Sequence, residues 1–160
     1  MPKFLPVLLA LAALLPAPAR AEAERASFFV IDAIKGDNGE IANGALAAER
    51  GSTPAVRDLG AMLVRDHSAA KAQAIAAAQT VGVGIPTDMT APAQHLQRRL
   101  LRLSGTAFDQ AFLTAMIKEH RKTIAKFSEQ RRSGDAVTQK LAEDALTHLS
   151  EHLQVALSLR

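Results

Sequence analysis

The stretch Leu113-Thr114-Ala115-Met116-Ile117-Lys118-Glu119-His120-Arg121-Lys122-Thr123-Ile124-Ala125-Lys126-Phe127 places Leu113, Ile117, His120, Ile124 and Phe127 at steps of 4-3-4-3. At about 100° per residue these positions share one helix face, and His120 falls at its centre. The same arrangement occurs upstream. In Leu63-Val64-Arg65-Asp66-His67 and its flanks, Val56, Leu63, His67, Ala70 and Ala74 repeat at steps of three, four and seven. An acid precedes each histidine: Asp66 before His67, Glu119 before His120. A third histidine, His152, sits between Leu149 and Leu153. A buried imidazole costs free energy unless its nitrogens find partners. The pattern therefore predicts helices packed around a polar interior site.

Reading outward, nearly the whole chain scans as helix, with Gly and Pro gathered at a few joints. The first helix is expected from about Arg25 to Arg50, with Phe28, Ile31, Ile34, Ile41, Ala45 and Leu46 as its apolar set. Gly36-Asp37-Asn38-Gly39 should kink or break it, because four poor helix formers in a row cost about 1–3 kcal/mol relative to alanine. Gly51-Ser52-Thr53-Pro54 ends that helix and caps the next, expected over 54–81. Gly82 to Pro92 forms a long joint, followed by a short helix over 93–103. Two further helices are expected over 106–132 and 136–159. Thr106 with Asp109 resembles a capping box. Four long helices, one long crossover and one short extra helix predict an all-α four-helix bundle.

Residues 1–21 read as a secretory signal. Lys3 supplies a positive charge, Phe4–Leu15 is apolar, Pro16-Ala17-Pro18 interrupts, and Ala19-Arg20-Ala21 suits cleavage after Ala21, with Ala23 as the other site. An uncleaved N-terminal anchor is the competing reading. The remainder, 22–160, is expected to be one exported domain in the periplasm with no later membrane span. With Lys3 and Arg20 gone, 17 basic residues face 16 acidic ones, so the high isoelectric point carries little information about partners. Arg98, Arg99 and Arg102, and Lys118, Arg121, Lys122 and Lys126, form local basic clusters that read as solvated helix faces. No Trp or Tyr is available for base stacking, and nucleic acid is not an expected partner. The chain has no cysteine, which excludes disulfides and thiolate chemistry.

Several phrases, taken in order, resemble the family of exported bacterial proteins known as domain of unknown function 4142. They are Gly36-x3-Glu40-Ile41-x2-Gly44-x-Leu46-Ala47, Val56-Arg57-x5-Leu63-Val64-x-Asp66-His67 and Gly82-x3-Pro86. Leu103-Ser104-Gly105-x2-Phe108-Asp109-x2-Phe112, His120 and Leu146-Thr147-x-Leu149-x2-His152-Leu153 follow. Thr147 stands where the family usually has Pro, and Glu119 where it commonly has Asp. The resemblance implies a ferritin-like bundle in the periplasm and implies no activity.

The di-iron bundles use Glu-x-x-His pairs, which set both ligands on one helix face. This chain contains none, so that chemistry is not encoded in its usual form. A single transition metal ion, zinc, copper or iron, remains compatible with His67, His120 and His152 plus an oxygen from Glu40, with Asp66 and Glu119 orienting the rings. The competing reading is a polar clasp in which each His bonds a carboxylate of a neighbouring helix. Glu40 is equally an exposed helix acid, since the glycine-rich interruption prevents extrapolating its direction. Measured from the stripe Leu146, Leu149, Leu153 and Leu157, His148 falls about 140° from the centre and is expected in solvent. His152 falls nearer the edge of that stripe, and the ladder Asp144, His148 and His152 reads more soberly as an adventitious surface metal site. His95 is expected at the surface. Gly82 and Gly84 mark a turn and lack the Lys-Ser/Thr of a phosphate loop. With no nucleophile–base pair and no paired catalytic carboxylates, a small binding or stress-associated module leads. A metal-dependent redox or oxygen-handling protein and a structural envelope-interaction domain are the alternatives.

Overall fold

The computed structural model describes residues 16–160. Its elements are five helices: α1 Ala17–Arg50, α2 Pro54–Val81, α3 Ala91–Leu100, α4 Gly105–Ser133 and α5 Ala136–Ser158. No strand occurs among the described residues. Local chemistry marks the joints. Thr53 accepts the Val56 N–H ahead of Pro54, Gly82 ends α2 at φ 74°, and Thr90 accepts the Ala93 N–H. Asp135 accepts the Val137 and Thr138 N–H groups at the start of α5. α5 runs unbroken through Thr147. Residues 1–15 of the expected leader lie outside the described residues, and Ala17 to Ala21 form the largely exposed start of α1.

α1 does not break at Gly36-Asp37-Asn38-Gly39. The poor helix formers there make tertiary contacts that offset their low propensity. Asn38 donates to the Pro86 and Asp88 carbonyls (3.3 and 2.9 Å), and Lys35 pairs with Asp88 at 2.8 Å. A Cβ on Gly39 would lie 2.4 Å from Cβ of Ala93, so only glycine lets the α3 segment seat against α1. The unbroken helix also has a different phase from the expected one. Phe28 is 72% exposed, Ile34 is buried as expected, and the inward face includes Ala26, Phe29, Val30, Ala33, Asp37, Gly44 and Ala47.

α1 and α2 pair through the tight Gly51–Thr53 turn, α4 and α5 through Gly134–Asp135, and α2 crosses to α5; α3 lies on α1 and α4. The closest approach is at Gly60, where a Cβ would come within 2.4 Å of the Ala48 nitrogen and 2.6 Å of the Gly44 oxygen. Asp109 does not cap its own helix. Its carboxylate accepts from the backbone N–H (2.9 Å) and hydroxyl of Ser52, tying α4 to the α1–α2 turn.

The apolar interior is in two parts. One joins Phe29, Val30 and Ile34 to Ala74, Ala78, Phe127, Leu141 and Leu149. The other joins Ala47 to Leu59, Leu63, Phe108, Phe112, Ile117 and Ala156. Between these parts each long helix carries a buried polar residue: Asp37 on α1, His67 on α2, His120 on α4 and His152 on α5. The stripe of α5 is also rotated from the leucine-based expectation. Ala142, Ala145, Leu149, His152 and Ala156 are buried, while Leu157 is exposed. Small alanines face the neighbouring helices, where backbones approach closely, and the larger leucines flank them.

Two glycine substitutions should separate packing from propensity. Gly60→Ala should destabilise by about 1–3 kcal/mol, because its methyl meets rigid backbone. At Gly36 an added methyl would meet nothing within 4 Å, and Gly36→Ala should stabilise by about 0.5–1 kcal/mol. Urea denaturation of both variants measures the contrast.

Candidate functional site

Three imidazoles from three helices meet in the polar layer. Ring centroids of His67 and His120 lie 5.9 Å apart, His67 and His152 5.3 Å, and His120 and His152 5.4 Å. All three residues are at most 3% exposed. Each ring has an acceptor against one nitrogen. His67 Nδ1 donates to Asp37 Oδ1 at 2.8 Å, and His152 Nε2 donates to Asp66 Oδ2 at 2.9 Å. His120 Nδ1 donates to the Met116 carbonyl at 3.0 Å, one helical turn back.

These anchors assign the tautomers, since carboxylates and carbonyls accept and the facing nitrogens must carry the hydrogens. The remaining nitrogens are then lone pairs turned toward one another. His120 Nε2 and His152 Nδ1 stand 3.3 Å apart, and His67 Nε2 is buried with no partner. One nitrogen from each ring lies within 4.8 Å of the other two. With all three rings neutral no proton joins the inner nitrogens, whereas protonation of His67, which its carboxylates favour, would place one there.

A cavity of about 240 Å³ opens beside this group, with Glu40, Asn43, His67, His120 and His148 in its wall. Glu40 Oε2 and Asn43 Oδ1 are buried there without hydrogen-bond partners. The Glu40 carboxylate is outside the set of atoms that converge within 4.8 Å. Glu119 is on the cavity wall, while His120 is oriented by the Met116 carbonyl. Asp66 accepts from His152 of α5 and not from its neighbour His67, and it is held in turn by Arg65 at 2.7 and 3.0 Å.

His148 corrects the expectation of solvent exposure. It is half-buried, with its ring 5.6 Å from His67 and 5.5 Å from His152. The error follows from the leucine stripe: rotating α5 to its alanine face carries His148 onto the cavity wall. Asp144 pairs with Lys140 and does not join the site. His95 is exposed. Asp37 and Asn43 were not anticipated. Continuing the phase of Ala26, Val30 and Ala33 through the glycines would have reached Asp37, and then Glu40 one turn on.

Burial governs the acid–base behaviour. It pushes His120 down to about 3, helped by charge on His67 and His152. It lowers His148 to about 4 and lowers His152 against its Asp66 hydrogen bond. It raises both Asp37 and Glu40. For His67, burial opposes the charged form, but the Asp37 hydrogen bond and the Glu40, Asp37 and Asp66 charges outweigh it, and its pKa rises. Asp66 is lowered, since bonds from Arg65 and His152 overcome its desolvation. The ring with the unpartnered inner nitrogen is thus also the one that most favours positive charge.

The model of DUF4142, described as a domain of unknown function, matches residues 12–159. The chain belongs to the DUF4142 family. No curated protein and no solved structure matches it significantly. The match takes in all five helices, so the converging histidines stand within the DUF4142 domain itself.

The depressed His120 sets a pH dependence in metal-free protein. Folded, the ring stays neutral to about pH 3; unfolded, it takes a proton near 6.5. Between these values the unfolded chain binds more protons, so acidification removes stability. Lowering the pH from 6.5 to 4 should cost the parent about 3 kcal/mol more than it costs His120→Leu. Denaturation curves of chelator-treated protein across that range check the difference.

Proposed function

We propose that this DUF4142 protein is an exported, ferritin-like four-helix bundle that binds one transition metal ion on His67, His120 and His152. The observation that carries the reading is the trio of inward lone pairs, each fixed by an acceptor on the far nitrogen. Metal-ligating histidines characteristically donate their other N–H to a carboxylate or backbone carbonyl, and Asp37, Asp66 and Met116 stand in those places. For nitrogen ligands about 2.0–2.1 Å from a tetrahedral ion, neighbouring nitrogens are separated by roughly 3.3–3.4 Å. The His120–His152 separation of 3.3 Å matches that edge, and the His67 ring offers a third nitrogen within 4.8 Å of both.

Three neutral imidazoles suit zinc, copper or iron. Zinc would make the site a Lewis acid, whereas copper or iron would add redox or oxygen chemistry. The carboxylates around His67 favour a cation at that ring, and a metal bound there displaces the proton they also favour, so binding releases a proton and weakens as the pH falls. Export rests on the order of charge, apolar run and small residues in 1–21.

The polar clasp is the second reading, favoured by the bonds that join α1 to α2 through Asp37–His67 and α2 to α5 through Asp66–His152. The two readings differ in their response to a chelator. Protein purified without an affinity tag should contain one metal ion per chain by elemental analysis, and a chelator should lower its Tm by several degrees. His67→Ala and His120→Ala should abolish both effects. A clasp would leave the parent indifferent to chelator, with His67→Ala costing about 1–3 kcal/mol in either condition.

Intact-mass measurement of the periplasmic fraction should give a chain beginning after Ala21. Full-length protein confined to the membrane pellet would refute the leader.

A further inference from the structure

The geometry points to an exchangeable coordination position on the cavity side of the metal, where a small oxygen ligand bearing an O–H binds and donates to Glu40 Oε2. The inference rests on the three-histidine reading above and extends it from a sealed structural ion to an open, ligand-binding one.

Four observations converge. First, the described residues that meet within 4.8 Å are three histidines and no carboxylate. A three-ligand set leaves a position for solvent or substrate, whereas structural sites close all four. Second, the open direction is defined: His67 and His120 are on the cavity wall and His152 is not, so it stands behind them. Third, the cavity holds two buried acceptors with no donor, Glu40 Oε2 and Asn43 Oδ1, one turn apart on α1. Leaving such atoms unpaired costs about 1–3 kcal/mol each, and neither is needed to hold the helices together through that atom. Asn43 already secures α3 through its other atom, donating Nδ2 to the Ala93 carbonyl at 3.2 Å. Fourth, at about 240 Å³ the space beside the rings has room for a small molecule as well as for water.

The acceptors also define the ligand's chemistry. Beside a bound metal ion, whose charge favours the carboxylate form, an anion without hydrogens would face Glu40 with nothing to donate. A metal-bound water, or a small hydroxyl- or hydroxamic-type molecule, supplies the missing O–H. Glu40 then acts as a positioning acceptor beside the metal, and Asn43 receives a second donor from the far end of the ligand.

Cobalt(II) as the loaded ion and acetohydroxamic acid as the probe test this in the full mature chain, read by visible d–d absorption. The parent should bind one cobalt, and its spectrum should change saturably with the probe. Glu40→Leu should still bind one cobalt but weaken the probe at least tenfold. The same variant should raise the Tm of metal-free protein, because it removes an unpaired buried carboxylate, and this shows that the weaker binding does not come from misfolding. Cobalt bound without a spectral response, or Glu40→Leu responding like the parent, overturns the exchangeable position and leaves the metal reading standing. Failure of the parent to bind cobalt at all overturns the metal reading and this inference with it.

Discussion

Everything in the middle of this molecule depends on three hydrogen bonds that face away from one another. Asp37, Asp66 and the Met116 carbonyl each hold the outer nitrogen of one ring, so each inner nitrogen is left as a lone pair. Without those acceptors the rings could adopt whichever tautomer let them bond each other, and the layer would be an ordinary polar cluster. With them, three acceptors point at a common space. The electrostatics of the layer follow directly: burial and mutual repulsion lower His120 and His152, while the Asp37 hydrogen bond and nearby carboxylates raise His67, the ring at which a proton competes with a metal for the inner nitrogen.

The placement of this layer is a packing result. Two apolar clusters, one around Phe29, Phe127 and Leu149 and one around Leu59, Phe108 and Phe112, lie on either side of it. They set the register of all four long helices, so polar residues at one level of each helix are brought together without choosing one another. Burying an imidazole between apolar walls is unfavourable unless its nitrogens are satisfied. The unpartnered Glu40 and Asn43 atoms deepen that cost. Local rules broken without structural compensation are the mark of a functional site.

Much of the fold was legible because helix periodicity is a local signal. The stripes of α2 and α4 face inward as their spacing requires, and His67 and His120 are buried at their centres. α1 and α5 were misread for two different reasons. In α1, propensity argued for a break at Gly36–Gly39, but the helix runs unbroken there, with contacts to Pro86, Asp88 and Ala93. In α5, bulky leucines outweighed alanines in locating the inward face, although alanine is what a close helix contact selects. Both errors hid site residues: Asp37 in the first case, His148 in the second.

The chain by itself determined that it would be helical, where its helices would turn, and that at least two histidines would be interior, because each depends on residues a few positions apart. Only the tertiary structure decided which helix faces which. It brought His152 against His120 from 32 residues away and supplied Asp66 to His152 across 86. It also left a cavity beside the rings where Glu40 finds no partner. Convergence of lone pairs is a relation among four helices, and periodicity along one helix carries no information about the direction from which another will approach.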